Sequence, residues 1–196
     1  HQYAQEQTAA GDPNPMITVK MPKPRPKPLR GLFLGRFQPF HNGHLQVIRK
    51  AFGIVDELVI VIGSAQESHA RENPFTADER EEMIENTLRE QRIGNVEIVP
   101  IEDINDDARY VTYVEGLLPD FHLVFAAENP LTAKLFKAKG YEVWTCDRIK
   151  PYESTRIREL MRKNDPKWEQ MVPAPALKII EAVEGVERIQ GIRNPR

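Results

Sequence analysis

Residues 31–44 read Gly-Leu-Phe-Leu-Gly-Arg-Phe-Gln-Pro-Phe-His-Asn-Gly-His. The stretch starts with an apolar run that predicts a short buried strand, and a glycine turn follows at Gly35. Asn42 can then cap a helix that continues through Lys50, because its side chain accepts from the N–H groups of a first helical turn. A strand that passes through a glycine turn into a helix is the repeating unit of an α/β fold.

The rest of the chain alternates between the same two kinds of pattern. Apolar runs predict four more strands, at residues 57–63, 96–101, 121–126 and 141–144. Amphipathic runs predict helices at residues 76–94, at 109–118, from Asn129 or Thr132 to Gly140, at 155–163 and at 174–184. This order predicts an α/β fold with a single doubly wound, Rossmann-like domain and a mostly parallel sheet of five or six strands.

Composition narrows the class of protein. The 196 residues, of which 40% are hydrophobic and 29% charged, are enough for one globular domain with its own core. No apolar run approaches the roughly 20 residues that a membrane-spanning helix needs, so the sequence predicts no membrane partner. The single cysteine, Cys146, cannot form an internal disulfide and fits a reducing compartment.

The beginning of the chain differs from the rest. Residues 1–30 contain six of the 16 prolines and, with five basic and two acidic side chains, carry a charge of +3, whereas the remainder carries −5. Lysine or arginine alternates with proline at residues 23–28, which favours an extended, solvated backbone. We predict that residues 1–28 form a flexible Pro/Lys-rich arm, or a tail foreign to the native protein. The acidic remainder argues against a nucleic-acid partner.

Parallel sheets bind ligands outside the carboxyl ends of their strands. The segments that follow the predicted strands, and therefore the predicted site segments, are residues 35–44, 63–76, 101–110, 126–131 and 145–158.

The first of these segments predicts a polyphosphate site. His41 and His44 stand at the start of the predicted helix, where N–H groups and the helix dipole attract anions, and Arg36 adds a positive charge. Gly43 removes a side chain and lets a phosphate approach the backbone. The segment contains neither a P-loop nor a G-x-G-x-x-G motif, and the two histidines lack an evident third ligand for zinc.

These residues resemble those of a known family. The stretch 35–44 resembles the signature of the H-x-G-H nucleotidylyltransferases. Residues 63–80, which include Gly-Ser-Ala-Gln and Asn-Pro-Phe-Thr, look like the archaeal-type nicotinamide mononucleotide adenylyltransferases in particular, and residues 129–131 and 185–189 are similar to that group as well. The resemblance implies that residues 29–196 form a nucleotidylyltransferase domain.

It further implies an enzyme that transfers the adenylyl group of ATP to nicotinamide mononucleotide (NMN), forming NAD⁺ and pyrophosphate. The catalytic residues would be His41, His44, Arg36 and Arg158. The ATP-binding residues would be Gly35, Phe37, Gly43, Ser154 and Thr155. The NMN-binding residues would be Arg71, Asp107, Tyr110 and Asn129. Mg²⁺ would arrive with ATP rather than in a protein cage, and the family resemblance suggests a cytoplasmic homo-oligomer.

The second phosphate element lies after the last predicted strand. Ser154 or Thr155 can cap the helix that begins there, and the segment resembles the family's S-x-T-x-x-R element. Thr155 and Arg158 match that pattern, whereas Glu153 stands where the family usually has a small hydroxyl residue.

Two residues of the predicted acceptor site also depart from the family pattern. Asp107 and Tyr110 stand where the archaeal-type enzymes carry an asparagine and a tryptophan. An aspartate accepts from a carboxamide but repels a carboxylate, so we predict that the amide mononucleotide is preferred over the acid form. These departures leave open a nucleotidyltransferase for another phosphorylated acceptor, such as phosphopantetheine, glycerol phosphate or FMN. A non-catalytic adenine-nucleotide sensor is the other alternative.

Overall fold

The structure is a computed structural model that describes residues 27–126, 130–145 and 151–192. Its sheet contains the strands β1 (Arg30–Gly35), β2 (Glu57–Ile62), β3 (Val96–Pro100), β4 (Leu123–Ala126) and β5 (Glu142–Thr145). The strand order is β3-β2-β1-β4-β5, and every neighbouring pair is parallel. The prediction of an α/β fold with a parallel sheet is therefore confirmed, and the described sheet has five strands.

Helices follow the strands along the described chain. They are α1 (Asn42–Ala51), α2 (Ala77–Glu90), α3 (Asp107–Leu117), α4 (Pro130–Lys139), α5 (Ser154–Arg162), a 3₁₀ helix (Pro166–Met171), α6 (Ala174–Ala182) and α7 (Gly185–Gly191). None of these helices has the length and apolarity that crossing a membrane requires. The arm predicted for residues 1–28 stays a prediction, because residues 1–26 lie outside the described ranges.

The sheet has a hydrophobic core on each face. Because successive side chains of a strand point to opposite faces, Leu32 and Phe33 of β1 enter different cores. The core that contains Phe33 includes side chains from α1, α2, α5, α6 and α7, whereas the core that contains Leu32 includes side chains from α3 and α4. Burial on both faces explains why the strands read as uninterrupted apolar runs in the sequence.

The cap of α1 is not the predicted residue. The Nδ1 atom of His41 accepts hydrogen bonds from the N–H groups of Gly43 and His44. Asn42 instead donates from its side-chain amide to the carbonyl of Gln170, at 3.1 Å. The prediction that Asn42 caps this helix is therefore wrong, because the histidine ring one position earlier reaches the same N–H groups.

The 3₁₀ helix and α7 are elements that the sequence periodicity did not predict, since six or seven residues are too few to show a clear helical repeat. The α7 helix is nevertheless firmly attached. Arg188 donates from both terminal nitrogens to the carboxylate of Glu79 on α2, at 2.7 and 2.9 Å. Glu79 also accepts from the N–H of Thr76, which completes the predicted capping box of α2.

The Glu79–Arg188 pair predicts how stability depends on pH. Burial alone would raise the pKa of Glu79, but hydrogen bonds from Arg188 and Thr76 and the charge of Arg188 hold it below the ordinary value of 4.5. The contribution of the ionised carboxylate is thus fully present above about pH 4.5 and is lost as the pH falls. We expect Glu79→Gln to lower the free energy of unfolding at pH 7 by about 1–3 kcal/mol, and the difference from wild type to shrink in acid.

Urea unfolding at several pH values measures this effect. Glu82→Gln, which removes an exposed carboxylate from the same helix, is the matched control and should stay within about 0.5 kcal/mol of wild type. A constant difference between wild type and Glu79→Gln down to pH 3 would contradict the expected linkage.

Candidate active site

A cavity of about 510 Å³ opens at the carboxyl edge of the sheet. The described residues that line it are Leu34, Gly35, Arg36, Gly63, Ser64, Asp103, Tyr110, Thr132, Glu153, Ser154 and Thr155. The cavity lies where the strand order changes direction, between β1 and β4, which is the usual ligand position in such sheets. The predicted site segments contribute every lining residue except Leu34 and Thr132.

The two histidines of the H-x-G-H stretch are buried beside this cavity rather than spread over its wall. His41 and His44 are each 1% exposed, and their rings stack with centroids 3.6 Å apart. The ring of His44 also stacks on Phe40 and meets the edge of Phe37. Aromatic packing therefore fixes both imidazoles at the start of α1.

Hydrogen bonds also fix the tautomers of these rings. The Nδ1 atom of His41 accepts from two backbone N–H groups, and the Nδ1 atom of His44 accepts from the N–H of His41 at 3.2 Å. An imidazole nitrogen that accepts cannot carry the proton, so each neutral ring carries it on Nε2. Both histidines are thereby set as Nε2–H donors, which suits contact with phosphate oxygens.

Glycine is required twice in this stretch because rings lie against the backbone. A Cβ atom at Gly35 would come within 2.8 Å of the ring of Phe37, whose own φ is +51°. At Gly43 it would come within 3.0 Å of both the His41 ring and the Cβ atom of Tyr152. The structure thus gives both glycines a packing role, and their contacts with ATP stay a prediction.

The start of α5 offers a second anion site. Its N-cap residue is Glu153, whose side chain makes no capping hydrogen bond, whereas the prediction placed the cap at Ser154 or Thr155. That prediction is wrong because both hydroxyls are engaged elsewhere: Ser154 donates to the carbonyl of Pro39, and Thr155 accepts from Arg158, each at 3.4 Å. Since Glu153, Ser154 and Thr155 all line the cavity, the uncapped first turn of α5 opens onto it.

Arg158 lies behind this turn and is 2% exposed. It donates from one terminal nitrogen to the carbonyl of Gln38 at 2.8 Å and from the other to the carboxylate of Glu72 at 2.5 Å. Burial lowers the pKa of its guanidinium, the charge of Glu72 raises it, and the charges of Arg36 and Arg162 lower it. Arg36 and Arg158 are therefore close enough to repel each other, a repulsion that a bound polyanion would relieve.

The opposite part of the wall is aromatic and acidic. Tyr110 lines the cavity with its ring at right angles to Phe136, and burial, followed by the charge of Asp103, raises its pKa to about 12. Asp103 also lines the cavity and accepts a hydrogen bond from the hydroxyl of Ser64 at 2.5 Å. Asp107, the predicted carboxylate, is exposed in the first turn of α3 and is not among the described lining residues.

Two other residues were predicted to bind NMN. Arg71 is exposed, lies 3.8 Å from Glu72 and is not among the described lining residues. Asn129 lies outside the described residues, as does Cys146.

One buried arginine joins the loops that form the site. Arg80 of α2 is fully buried, and within the described part of the chain its side chain donates to backbone carbonyls alone: those of Thr76, Arg36, Gly63, Ser64 and Glu67. These carbonyls belong to the residues after β1, the residues after β2 and the start of α2. Burial is the main cause that lowers the pKa of Arg80 to about 10, so it is still charged at pH 7.

Comparison with known proteins identifies the family of the chain. The family model described as cytidylyltransferase-like matches residues 32–160, well over half of the chain. The chain belongs to the cytidylyltransferase-like family. Within this family, the nicotinamide-nucleotide adenylyltransferase of Thermoplasma acidophilum is 43% identical to it over 166 residues, which make up 84% of this chain and 92% of that protein. The resemblance stated from the sequence is confirmed.

Solved structures of other proteins share the fold. A bifunctional NMN adenylyltransferase/ADP-ribose pyrophosphatase from Francisella tularensis superposes with a TM-score of 0.68 and 21% identity over 83% of this chain and 51% of that one. A second structure of such a protein from Francisella tularensis, complexed with AMP and a manganese ion, gives a TM-score of 0.62 and 22% identity over 83% and 52%. The chain spans about half the length of these structures, and at this identity they support the fold alone.

Sequence reasoning missed several residues of this cytidylyltransferase-like site. Asp103 and Ser64 lie in segments that the carboxyl-edge rule selected, so their polar side chains were the available signal. Arg80 and Gln38 act from buried positions. Gln38 exchanges two hydrogen bonds of 2.9 Å with the backbone of Phe75, a pairing that sequence spacing does not reveal.

The contacts of Arg80 predict that lysine cannot replace it. A lysine ammonium has three donors on one atom and cannot span the carbonyls that the guanidinium joins, which leaves buried acceptors without donors. We expect Arg80→Lys to lower the free energy of unfolding by about 2–4 kcal/mol and to weaken ATP binding.

Arg89→Lys is the matched control, because Arg89 is exposed on the same helix and donates only to Asn86 among the described contacts. Urea unfolding and calorimetric ATP titration compare the two variants. The same stability and ATP affinity in both would show that Arg80 does not hold the site together.

Proposed function

We propose that this chain transfers the adenylyl group of ATP to NMN and releases NAD⁺ and pyrophosphate. The observation that carries the proposal is the uncapped first turn of α5, which opens onto the cavity that Arg36 also lines. The proposal is supported by the 43% identity between this chain and the nicotinamide-nucleotide adenylyltransferase of Thermoplasma acidophilum.

The phosphates of ATP fit the cationic part of the cavity. Arg36 provides an exposed charge on the wall, and Arg158 provides a buried one behind Thr155. The N–H groups of α5 add the positive end of a helix dipole. In the proposed complex, Gly35, Phe37 and Gly43 contribute the turn that follows β1, and Ser154 contributes its place in the first turn of α5.

The nicotinamide of NMN fits the aromatic and acidic part. Its pyridinium ring is cationic, so the face of Tyr110 attracts it, and the carboxylate of Asp103 adds electrostatic attraction. Asp103 takes over the role that the sequence assigned to Asp107. Arg71 and Asn129 stay proposed NMN ligands on the strength of the resemblance.

The reaction needs alignment more than proton transfer. The acceptor phosphate is already anionic at neutral pH, so it can attack the α-phosphorus of ATP without a general base, while pyrophosphate leaves on the opposite side. We assign the Nε2–H of His44 to the α-phosphate and His41 with Arg36 to the triphosphate. Arg158 and Thr155 would hold the leaving pyrophosphate and stabilise the charge that it gains.

Mg²⁺ would enter with ATP as part of the substrate. In residues 27–126, 130–145 and 151–192, no three His, Cys, Asp or Glu side chains cluster as metal ligands. Mg²⁺ commonly binds through substrate phosphates and one or two carboxylates, and Glu153 and Asp103 are the carboxylates on this wall. A homo-oligomer and a cytoplasmic location stay predictions from the resemblance.

Two other functions are distinguished by turnover. An enzyme for a different phosphorylated acceptor would release pyrophosphate with that acceptor and not with NMN. A sensor would bind ATP without releasing pyrophosphate. We favour catalysis with NMN as the acceptor because of the 43% identity to a nicotinamide-nucleotide adenylyltransferase over 84% of the chain.

His44→Ala tests the catalytic assignment. Because the variant lacks the donor to the α-phosphate, we expect kcat to fall about 10²–10³-fold. A coupled dehydrogenase reads NAD⁺ formation from ATP, Mg²⁺ and NMN. His69→Ala, in the exposed loop after β2, is the control and should keep wild-type turnover. If His44→Ala turned over like wild type while retaining a wild-type melting temperature, His44 would have no part in the reaction.

Asp103→Asn tests the acceptor preference. A cavity carboxylate repels the carboxylate of nicotinic acid mononucleotide, so wild type should prefer the amide substrate. We expect Asp103→Asn to bring the two kcat/KM values closer by about fivefold to tenfold, and Asp107→Asn to leave their ratio unchanged. If Asp107→Asn changed the ratio of the two kcat/KM values and Asp103→Asn did not, Asp107 rather than Asp103 would be the carboxylate of the acceptor site.

A further inference from the structure

Glu72 forms an ion pair with Arg158, a cation that the proposed reaction needs. Its carboxylate lies 2.5 Å from a terminal nitrogen of Arg158, and the same nitrogen lies 3.4 Å from the hydroxyl of Thr155, a residue of the cavity wall. The Nε atom of Arg158 has no hydrogen-bond partner among the described residues. Arg158 thus has donor capacity directed at both a carboxylate and the phosphate-binding turn.

The two partners differ in their freedom to move. Arg158 is 2% exposed and is held by the carbonyl of Gln38, whereas the side chain of Glu72 is 53% exposed. An exposed glutamate can leave an ion pair by rotating into water at little cost. The arginine stays in place when it does.

The backbone around Glu72 is anchored on both sides. Phe75, after it, exchanges hydrogen bonds with Gln38, and Ser64, before it, accepts from Arg80. The loop therefore does not need to open for Glu72 to release Arg158, since rotation of the side chain is enough.

A bound triphosphate and Glu72 exclude each other at this position. A phosphate oxygen that contacts Thr155 and Arg158 competes for the nitrogen to which Glu72 is bonded. A carboxylate that stayed within hydrogen-bond distance of that nitrogen would also repel the phosphate charge.

We propose that Glu72 is an internal competitor of the triphosphate, which neutralises Arg158 in the empty enzyme and gives it up when ATP binds. This role rests on the proposed function. It lowers the affinity for ATP and, because the carboxylate returns to Arg158 as the product leaves, it favours release of pyrophosphate. Glu72 is thus a residue that sets affinity without touching the reacting atoms.

Glu72→Gln tests the competition because it keeps the size of the side chain and removes its charge. We expect it to bind MgATP and magnesium pyrophosphate about threefold to tenfold more tightly than wild type. KM for ATP should fall, and inhibition by pyrophosphate should strengthen by a similar factor. Isothermal titration of the full chain and steady-state kinetics give these numbers.

Glu67→Gln is the matched control, since it removes an equal charge from an exposed residue of the same loop. This control distinguishes competition at Arg158 from a general change in the electrostatic potential of the site. We expect Glu67→Gln to bind MgATP and magnesium pyrophosphate like wild type. Glu72→Ala is a second variant that removes the carboxylate by truncation and should tighten binding in the same way if Glu72→Gln does not fold.

The outcomes separate this proposal from the proposed function. Equal or weaker ATP binding in folded Glu72→Gln, or equal tightening in Glu67→Gln, would overturn the competition while wild-type turnover left the proposed function intact. A lower melting temperature with unchanged KM would make Glu72 a structural partner only and would also overturn it. Wild type that binds neither ATP nor pyrophosphate would overturn both.

Discussion

The guanidinium of Arg80 is the contact on which the site depends. It binds the carbonyls of Arg36 and Gly63, one after each of two neighbouring strands, and thereby fixes the distance between the turns that follow them. It also binds Ser64, whose hydroxyl holds Asp103, so a single buried cation sets the cationic and the acidic parts of the cavity relative to each other. Among the described residues the side chain of Arg80 donates to carbonyls alone, so its burial carries a desolvation cost.

The α7 helix contacts the residue next to Arg80. Arg188 binds Glu79, the residue that precedes Arg80 and that closes the capping box of α2 on Thr76. Arg188 thereby holds the first turn of α2 in place. The position of this turn determines how the side chain of Arg80 reaches the edge of the sheet. The α7 helix thus supports the position of Arg80, and with it the turns around the cavity, through two adjacent residues of α2.

The sequence predicted the fold well because the signals for it are local. Apolar β-branched runs, a glycine turn and the Thr76–Glu79 capping box each depend on residues close together in the chain. The edge of the sheet that carries the site followed from the strand–helix order alone. The details that the sequence did not predict depend instead on where a side chain points: His41 rather than Asn42 caps α1, and Asp103 lines the cavity.

The distribution of charge around the cavity follows from what a transferase has to release. A cluster of arginines without counter-charges would bind triphosphate tightly, but such uniform binding also retains pyrophosphate and does not speed the chemical step. Glu72 against Arg158 and Glu153 at the start of α5 reduce the net positive charge there. The departure from a small hydroxyl residue at Glu153 has a physical explanation under the proposed function: its carboxylate would weaken ground-state binding of the phosphates without removing any of the proposed phosphate donors.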